Sequence, residues 1–164
     1  MTELILAKNE SDFKTIAKLA HTIWHHHYEP IIGINQVEYM LDKFQSIEAI
    51  KSQINDGYEY YLVNYNSTSV GYISIKKDDD ALFLSKIYVL SDYRGKKIGK
   101  TAMQFISDRA KNLNCNTIRL TVNKYNTNSI KAYERLGFKT IEALVIDIGN
   151  GYIMDDYKME KTIG

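Results

Sequence analysis

The chain has 164 residues, 45% of them hydrophobic and 25% charged, with a formal net charge of +1. That length suits one domain, residues 1–164, with a real core, and so even a charge balance argues against nucleic acid or an anionic membrane surface as partner. The lone cysteine, Cys115, excludes a disulfide framework and a multi-cysteine metal centre.

No apolar run approaches the length of a membrane span. The opening "MTELILAKNESDF" carries acids and lacks a signal-peptide core, so a cytoplasmic protein is expected. In chain order, "ELILAK" (3–8) reads as a strand. From Ser11, apolar positions 13, 16, 17, 20, 23 and 24 recur at helical spacing, with Asn9 or Ser11 as cap. Pro30 and Gly33 are expected to interrupt the pattern, and Asn35 to cap the helix that resumes. "SIEAIKSQIND" makes a further helix, capped by Ser46 and stopped near Gly57.

The period then changes. "YEYYLVNY", "SVGYISIKK" and "ALFLSKIYVL" read as three strands joined by hairpin turns. A helix over 96–113, a strand "TIRLTVN" and a helix "TNSIKAYERLG" closed by Gly137 follow. "KTIEALVIDIG" and "YIMDDYKMEK" flank Asn150–Gly151, a strong hairpin signal. The fold class is mixed α/β.

The stretch "DYRGKKIGKT" (92–101) sets Arg94, Lys96, Lys97 and Lys100 around Gly95 and Gly99 at a strand-to-helix turn. A helix start carries partial positive charge and normally attracts acids. Cations there, with glycines that let a ligand approach the backbone, point to a bound anion, phosphate above all. The stretch is one residue short of a P-loop. A nucleotide hydrolase, with Asp147 holding magnesium, is therefore an alternative. In "NKYNTNSIKAYERLGF" (123–138), Asn126 is placed to cap a helix on which Ser129, Tyr133 and Leu136 share one stripe. Three consecutive histidines, His25–His27, point about 100° apart on a helix and cannot converge on one ion. Cys115 has no histidine mate and is read as structural.

Together the two motifs resemble the GNAT superfamily of acyl-CoA N-acyltransferases. Arg94, Ile98 and Gly99 fit its phosphate-binding signature, whereas Lys97 stands where a glycine is usual. That departure implies a negative φ at Lys97 or a position that tolerates a side chain. Asn126, Ser129, Tyr133, Glu134, Gly137 and Phe138 fit the later signature. The resemblance implies a mostly antiparallel sheet of about seven strands flanked by helices. It implies acetyl-CoA as co-substrate and direct attack of an amine through a tetrahedral intermediate. Ile87, Tyr88, Val89, Arg94, Gly95, Lys96, Lys97, Ile98, Gly99, Lys100, Asn126 and Ser129 would hold the cofactor. The Val89 amide would stabilise the oxyanion, and Tyr133 would protonate the leaving thiolate. No metal is expected. Tyr28 and Glu29 would meet the acceptor, a small-molecule amine. The stretches "KLAHTIWHHHYEPIIG", "YMLDKFQS" and "DIGNGYIMDDYKMEK" further resemble bacterial polyamine acetyltransferases. The resemblance also allows a homodimer, and an acyl-CoA-binding module without transfer is the remaining alternative.

Overall fold

Asn9, not Ser11, opens the first helix, through a reciprocal cap. Its side chain accepts from the Asp12 amide at 3.0 Å, and the Asp12 carboxylate accepts from the Asn9 amide at 3.4 Å. The computed structural model describes residues 1–163. In it this helix, α1, runs over Glu10–Ile32, straight through Pro30. Of the two residues expected to interrupt it, Gly33 does and Pro30 does not: the proline sits in the last turn, where it forfeits one backbone bond and little helix remains to be kinked. The chain turns at Gly33 instead, with φ +84°, and the Gly33 amide closes the helix on the Glu29 carbonyl at 2.9 Å. Gly33 rather than Asn35 therefore stands at the N-cap of α2, Ile34–Gln45. Ser46 caps α3, Ile47–Asn55, by accepting from the Ala49 amide.

The strands are β1 Thr2–Leu6, β2 Glu59–Tyr65, β3 Thr68–Asp78, β4 Ala81–Val89, β5 Thr117–Asn123, β6 Lys139–Gly149 and β7 Tyr152–Thr162. β1 ends two residues earlier than the sequence pattern implies. Two helices complete the order, α4 Ile98–Asn112 and α5 Thr127–Arg135. The seven strands form one sheet in the order β1-β2-β3-β4-β5-β7-β6. Every neighbouring pair is antiparallel except β4 and β5. Asn150 and Gly151 both adopt positive φ, as the two-residue β6–β7 turn requires.

Strand alternation divides the core in two. Tyr60, Leu62 and Tyr72 pack with Ile16, Trp24, Val37 and Ile50 of α1–α3. Val63, Ile73, Ile75, Ile118 and Leu120 pack with Ile98, Ala102 and Ile106 of α4 on the other face. Within the first layer Trp24 Nε1 donates to Tyr72 Oη at 3.1 Å, and Gln45 Nε2 donates to Tyr60 Oη at 3.1 Å. Unpaired, such groups would each cost about 1–3 kcal/mol in an apolar layer. Their pairing therefore fixes how α1 lies on β3.

The β4–β5 pair is short. Parallel partners run only from Ala81–Thr117 to Phe83–Arg119. Beyond them the strands diverge, and a cleft opens at the middle of the sheet. On its other side β4 stays bonded to β3 as far as Val89, opposite Gly71. A Cβ at Gly71 would run into the Tyr88 carbonyl oxygen and lie 3.0 Å from Val89 Cα. Gly71→Ala should thus push β3 from β4 and cost about 1–3 kcal/mol, read as a lowered urea midpoint. An unchanged midpoint would show that this close approach is not needed.

Candidate active site

The cleft is lined from four elements. β4 supplies Ser85, Ile87, Tyr88 and Val89, β5 supplies Thr121, α1 supplies His27 and Tyr28, and α5 supplies Ser129 and Tyr133. A cavity of about 140 Å³ lies at its base. A wider one of about 530 Å³ extends past Arg94 and Gly99 toward Met103 and Asn128.

β4 presents its backbone here. The Leu90 amide donates to the Val70 carbonyl at 2.8 Å, toward β3. Successive strand amides point to opposite sides, so the amides of Val89 and Ile87 face the cleft, where β5 has already left. The side chains of Ile87 and Val89 line both cavities, and Tyr88 lines the inner one.

At the outer end stands the start of α4. No side chain caps it and its first turn holds no acidic residue, so the amides of Ile98, Gly99 and Lys100 are without helical partners. Lys97 occupies the N-cap with φ +63°. A negative φ at Lys97 is therefore ruled out, while its exposed side chain shows that the position tolerates one. That left-handed lysine costs on the order of 1–2 kcal/mol. A Cβ at Gly95 or Gly99 would meet nothing within 4 Å, so the space above both is open. The Ile98 side chain is core, and only its amide faces the loop. Lys96 leans over the Tyr65 ring, Lys97 and Lys100 are exposed, and Arg94 lines both cavities.

Tyr133 is fixed by the way α5 ends. The Phe138 amide donates to the Tyr133 carbonyl and the Gly137 amide to the Glu134 carbonyl. This is a Schellman closure with Gly137 at φ +99°. Its hydrophobic contact is Tyr133 against Phe138, ring centroids 5.7 Å apart. Burial first, and Tyr28 second, push the Tyr133 phenol well above its ordinary pKa. Burial also lifts Tyr28 to about 12, and its hydroxyl sits 2.9 Å from that of Tyr88. These phenols hold their protons at neutral pH.

Asn126 does not cap α5 with its side chain. Its amide, 6% exposed, instead meets His27 Nε2 at 2.9 Å. Burial, then the Arg94 charge, lowers the His27 pKa. The neutral ring accepts from Asn126 through Nε2, which leaves its proton on Nδ1. Of the histidine run, His27 reaches the cleft and His26 is exposed. Glu29, expected at the acceptor, lines neither cavity and pairs with His25 at 3.1 Å on the far side of α1. Tyr28 is at the cleft as expected.

Two groups escaped the sequence reading. Asp156 on β7 is 3% exposed, and it is the one carboxylate among the buried residues described. Burial, then Asp155, pushes its pKa up to about 6, against Lys86 and Lys124. Lys86 on β4 is drawn down to about 8 by burial, with Asp156 opposing. Asp156 also acts through space on Tyr28. Its signal in the sequence was an acid at the centre of an alternating strand paired on both sides.

Asp147 lies on edge strand β6 with its carboxylate accepting from the Gly149 amide. β5 and β7 separate it from the glycine turn, so it holds no magnesium there and the nucleotide-hydrolase alternative falls. Cys115 is buried, and burial raises its thiol pKa, as a structural role requires.

The sequence profile of the acetyltransferase (GNAT) family matches residues 20–138. The chain belongs to that family. It is 26% identical over 150 residues to the spermidine N(1)-acetyltransferase of Thermoplasma acidophilum, covering 88% of this chain and 90% of that one. The fold is shared with the PaiA N-acetyltransferase of the same organism, solved with coenzyme A (TM-score 0.80, 24% identity, 99% of each chain). It is also shared with a GCN5-related N-acetyltransferase of Rhodopseudomonas palustris (TM-score 0.83, 15% identity, 99% and 96%). The protein is an acetyl-CoA-dependent N-acetyltransferase.

Since the Arg94 charge depresses the His27 pKa, Arg94→Ala should raise it toward the ordinary value of 6.5. Histidine ring-proton NMR across pH 5–8 reads this directly, and an unmoved midpoint would place the guanidinium too far away to matter.

Proposed function

We propose that the β4–β5 cleft binds acetyl-CoA and transfers its acetyl group to a small primary amine, a polyamine first among them. The observation that carries this is the convergence on one cleft of a free strand amide, a buried phenol and an uncapped helix start. Acetyl-CoA supplies an activated acyl carbonyl and a thiolate leaving group. Its diphosphate suits the start of α4: three unpartnered amides, four cations, no acid, and open space over Gly95 and Gly99.

In this reading the Val89 amide donates to the carbonyl oxygen as that oxygen gains charge. Tyr133, a phenol kept protonated by burial, gives its proton to the departing sulfur. Asn126 and Ser129 border the same channel. Only a free amine attacks, so a group must take a proton from the ammonium. Asp156 lines neither cavity but acts through space on Tyr28 at the cleft, so it is assigned to this by way of a bridging water, and its charge favours a cation nearby. Tyr28 and Tyr88 line the inner cavity with their hydroxyls 2.9 Å apart, and Trp24 is buried behind them, its ring edge-on to both at 5.7 and 5.8 Å. Aromatic faces attract ammonium groups. The spermidine-acetylating relative supports a polyamine among the amines.

A panel of spermidine, spermine, aminoglycosides, amino acids and short peptides with acetyl-CoA, read by thiol release, should show turnover with polyamines and little with amino acids. Turnover confined to peptides would overturn the acceptor class. Tyr133→Phe should lower kcat on the order of 10²-fold or more and leave the Kd for coenzyme A nearly unchanged; retained kcat with chemistry rate-limiting would remove the phenol from the reaction. Asp156, with its pKa raised to about 6, is protonated below that pH and can then accept nothing. kcat/KM should therefore fall below about pH 6, and Asp156→Asn should abolish that limb. The same acid limb in the variant would reassign the base.

A further inference from the structure

His25 is the member of the histidine run that faces neither the cleft nor open water. On α1 its ring stands one turn from His21, with ring centroids 4.5 Å apart. Across the α1–α2 junction its Nε2 meets Glu38 Oε1 at 2.7 Å. Yet Nε2 is buried and makes no hydrogen bond, because Glu38 lies outside hydrogen-bonding geometry. One donor atom each from His21, His25 and Glu38 lies within 4.8 Å of the others.

We propose that His21, His25 and Glu38 form a binding site for a divalent transition metal ion, zinc above all, that ties α1 to α2. Two imidazoles and one carboxylate are a donor set for zinc, cobalt or nickel rather than for magnesium or calcium. Three protein ligands leave a fourth position for water. The other nitrogen of His25, Nδ1, sits 3.1 Å from Glu29 Oε2. A carboxylate on the far ring nitrogen fixes the tautomer that presents Nε2 to a metal. This gives Glu29 a place: it orients the histidine instead of meeting the acceptor. His25 is held firmly, its side chain 18% exposed, while Glu38 is 55% exposed and free to close on an ion. The expectation from the sequence concerned three adjacent histidines. It did not extend to a pair one turn apart and a carboxylate from the next helix.

The site joins the two helices on either side of the Gly33 turn. α1 carries His27 and Tyr28 to the cleft, so a bound ion would stiffen the wall that faces the acceptor.

The test uses untagged, EDTA-dialysed full-length protein. Zinc calorimetry should give one ion per chain, and cobalt should produce the visible bands of a tetrahedral site. Zinc should also raise the melting temperature. His25→Ala should abolish all three signals, His21→Ala and Glu38→Gln should weaken zinc strongly, and Glu29→Gln should weaken it about 10–100-fold. His26→Ala, at an exposed position outside the cluster, should leave binding intact. Metal-free melting temperatures check that each variant folds. The proposal is overturned if zinc fails to bind, if binding survives His25→Ala, or if His26→Ala removes it. Amine turnover enters none of these readouts, so failure here leaves the acetyl-transfer reading standing, and failure there leaves this one.

Discussion

Three residues of pairing between β4 and β5, and then none, set the terms for the rest of the molecule. A strand in mid-sheet normally has both edges bonded. Where β5 turns away, one edge of β4 is left with amides beyond the reach of a β5 partner. Unpaired groups of that kind are costly when buried, so a fold keeps them only where a ligand or water can answer them. The divergence creates both the cavity and the donors that line it. β3 cannot relax toward the gap, because Gly71 already brings its backbone against Tyr88 and Val89.

Charge is divided across this cleft. Cations and free amides gather at the outer end, around Arg94 and the start of α4. The carboxylate of Asp156 is buried behind the cleft, lining neither cavity, and acts through space on Tyr28 and with Lys86. A negatively charged donor and a positively charged acceptor would thus be drawn to different sides of one opening. Tyr133 and Val89 stand between, and neither is charged. The hydrogen-bonded layer of Trp24, Tyr72, Gln45 and Tyr60 holds α1 to the sheet. Through it His27 and Tyr28 are placed relative to β4.

Most of the fold was legible because its signals are local. Caps, the Asn150–Gly151 turn and the change of period gave the elements to within a residue or two. Pro30 misled because a proline's effect depends on how much helix follows it. The uncapped, cation-flanked start of α4 was legible because glycines and cations there are adjacent in the chain. Ser129 and Tyr133 were legible because a helix sets their stripe. Asp156, Lys86 and the His27–Asn126 bond were not: each joins positions brought together only by strand order. Glu29 was misplaced for a related reason. It follows Tyr28 directly, and one helical step of about 100° is enough to turn it away from the cleft.

The central claim is that the start of α4 and the free edge of β4 bind one molecule of coenzyme A between them. Backbone amide NMR of the 15N-labelled protein, titrated with coenzyme A, reads both places at once. The largest shifts should fall on the amides of residues 95–100 and on Val89, in fast or slow exchange with a single Kd. Saturable shifts that leave those amides unmoved, or binding centred elsewhere on the sheet, would contradict the account.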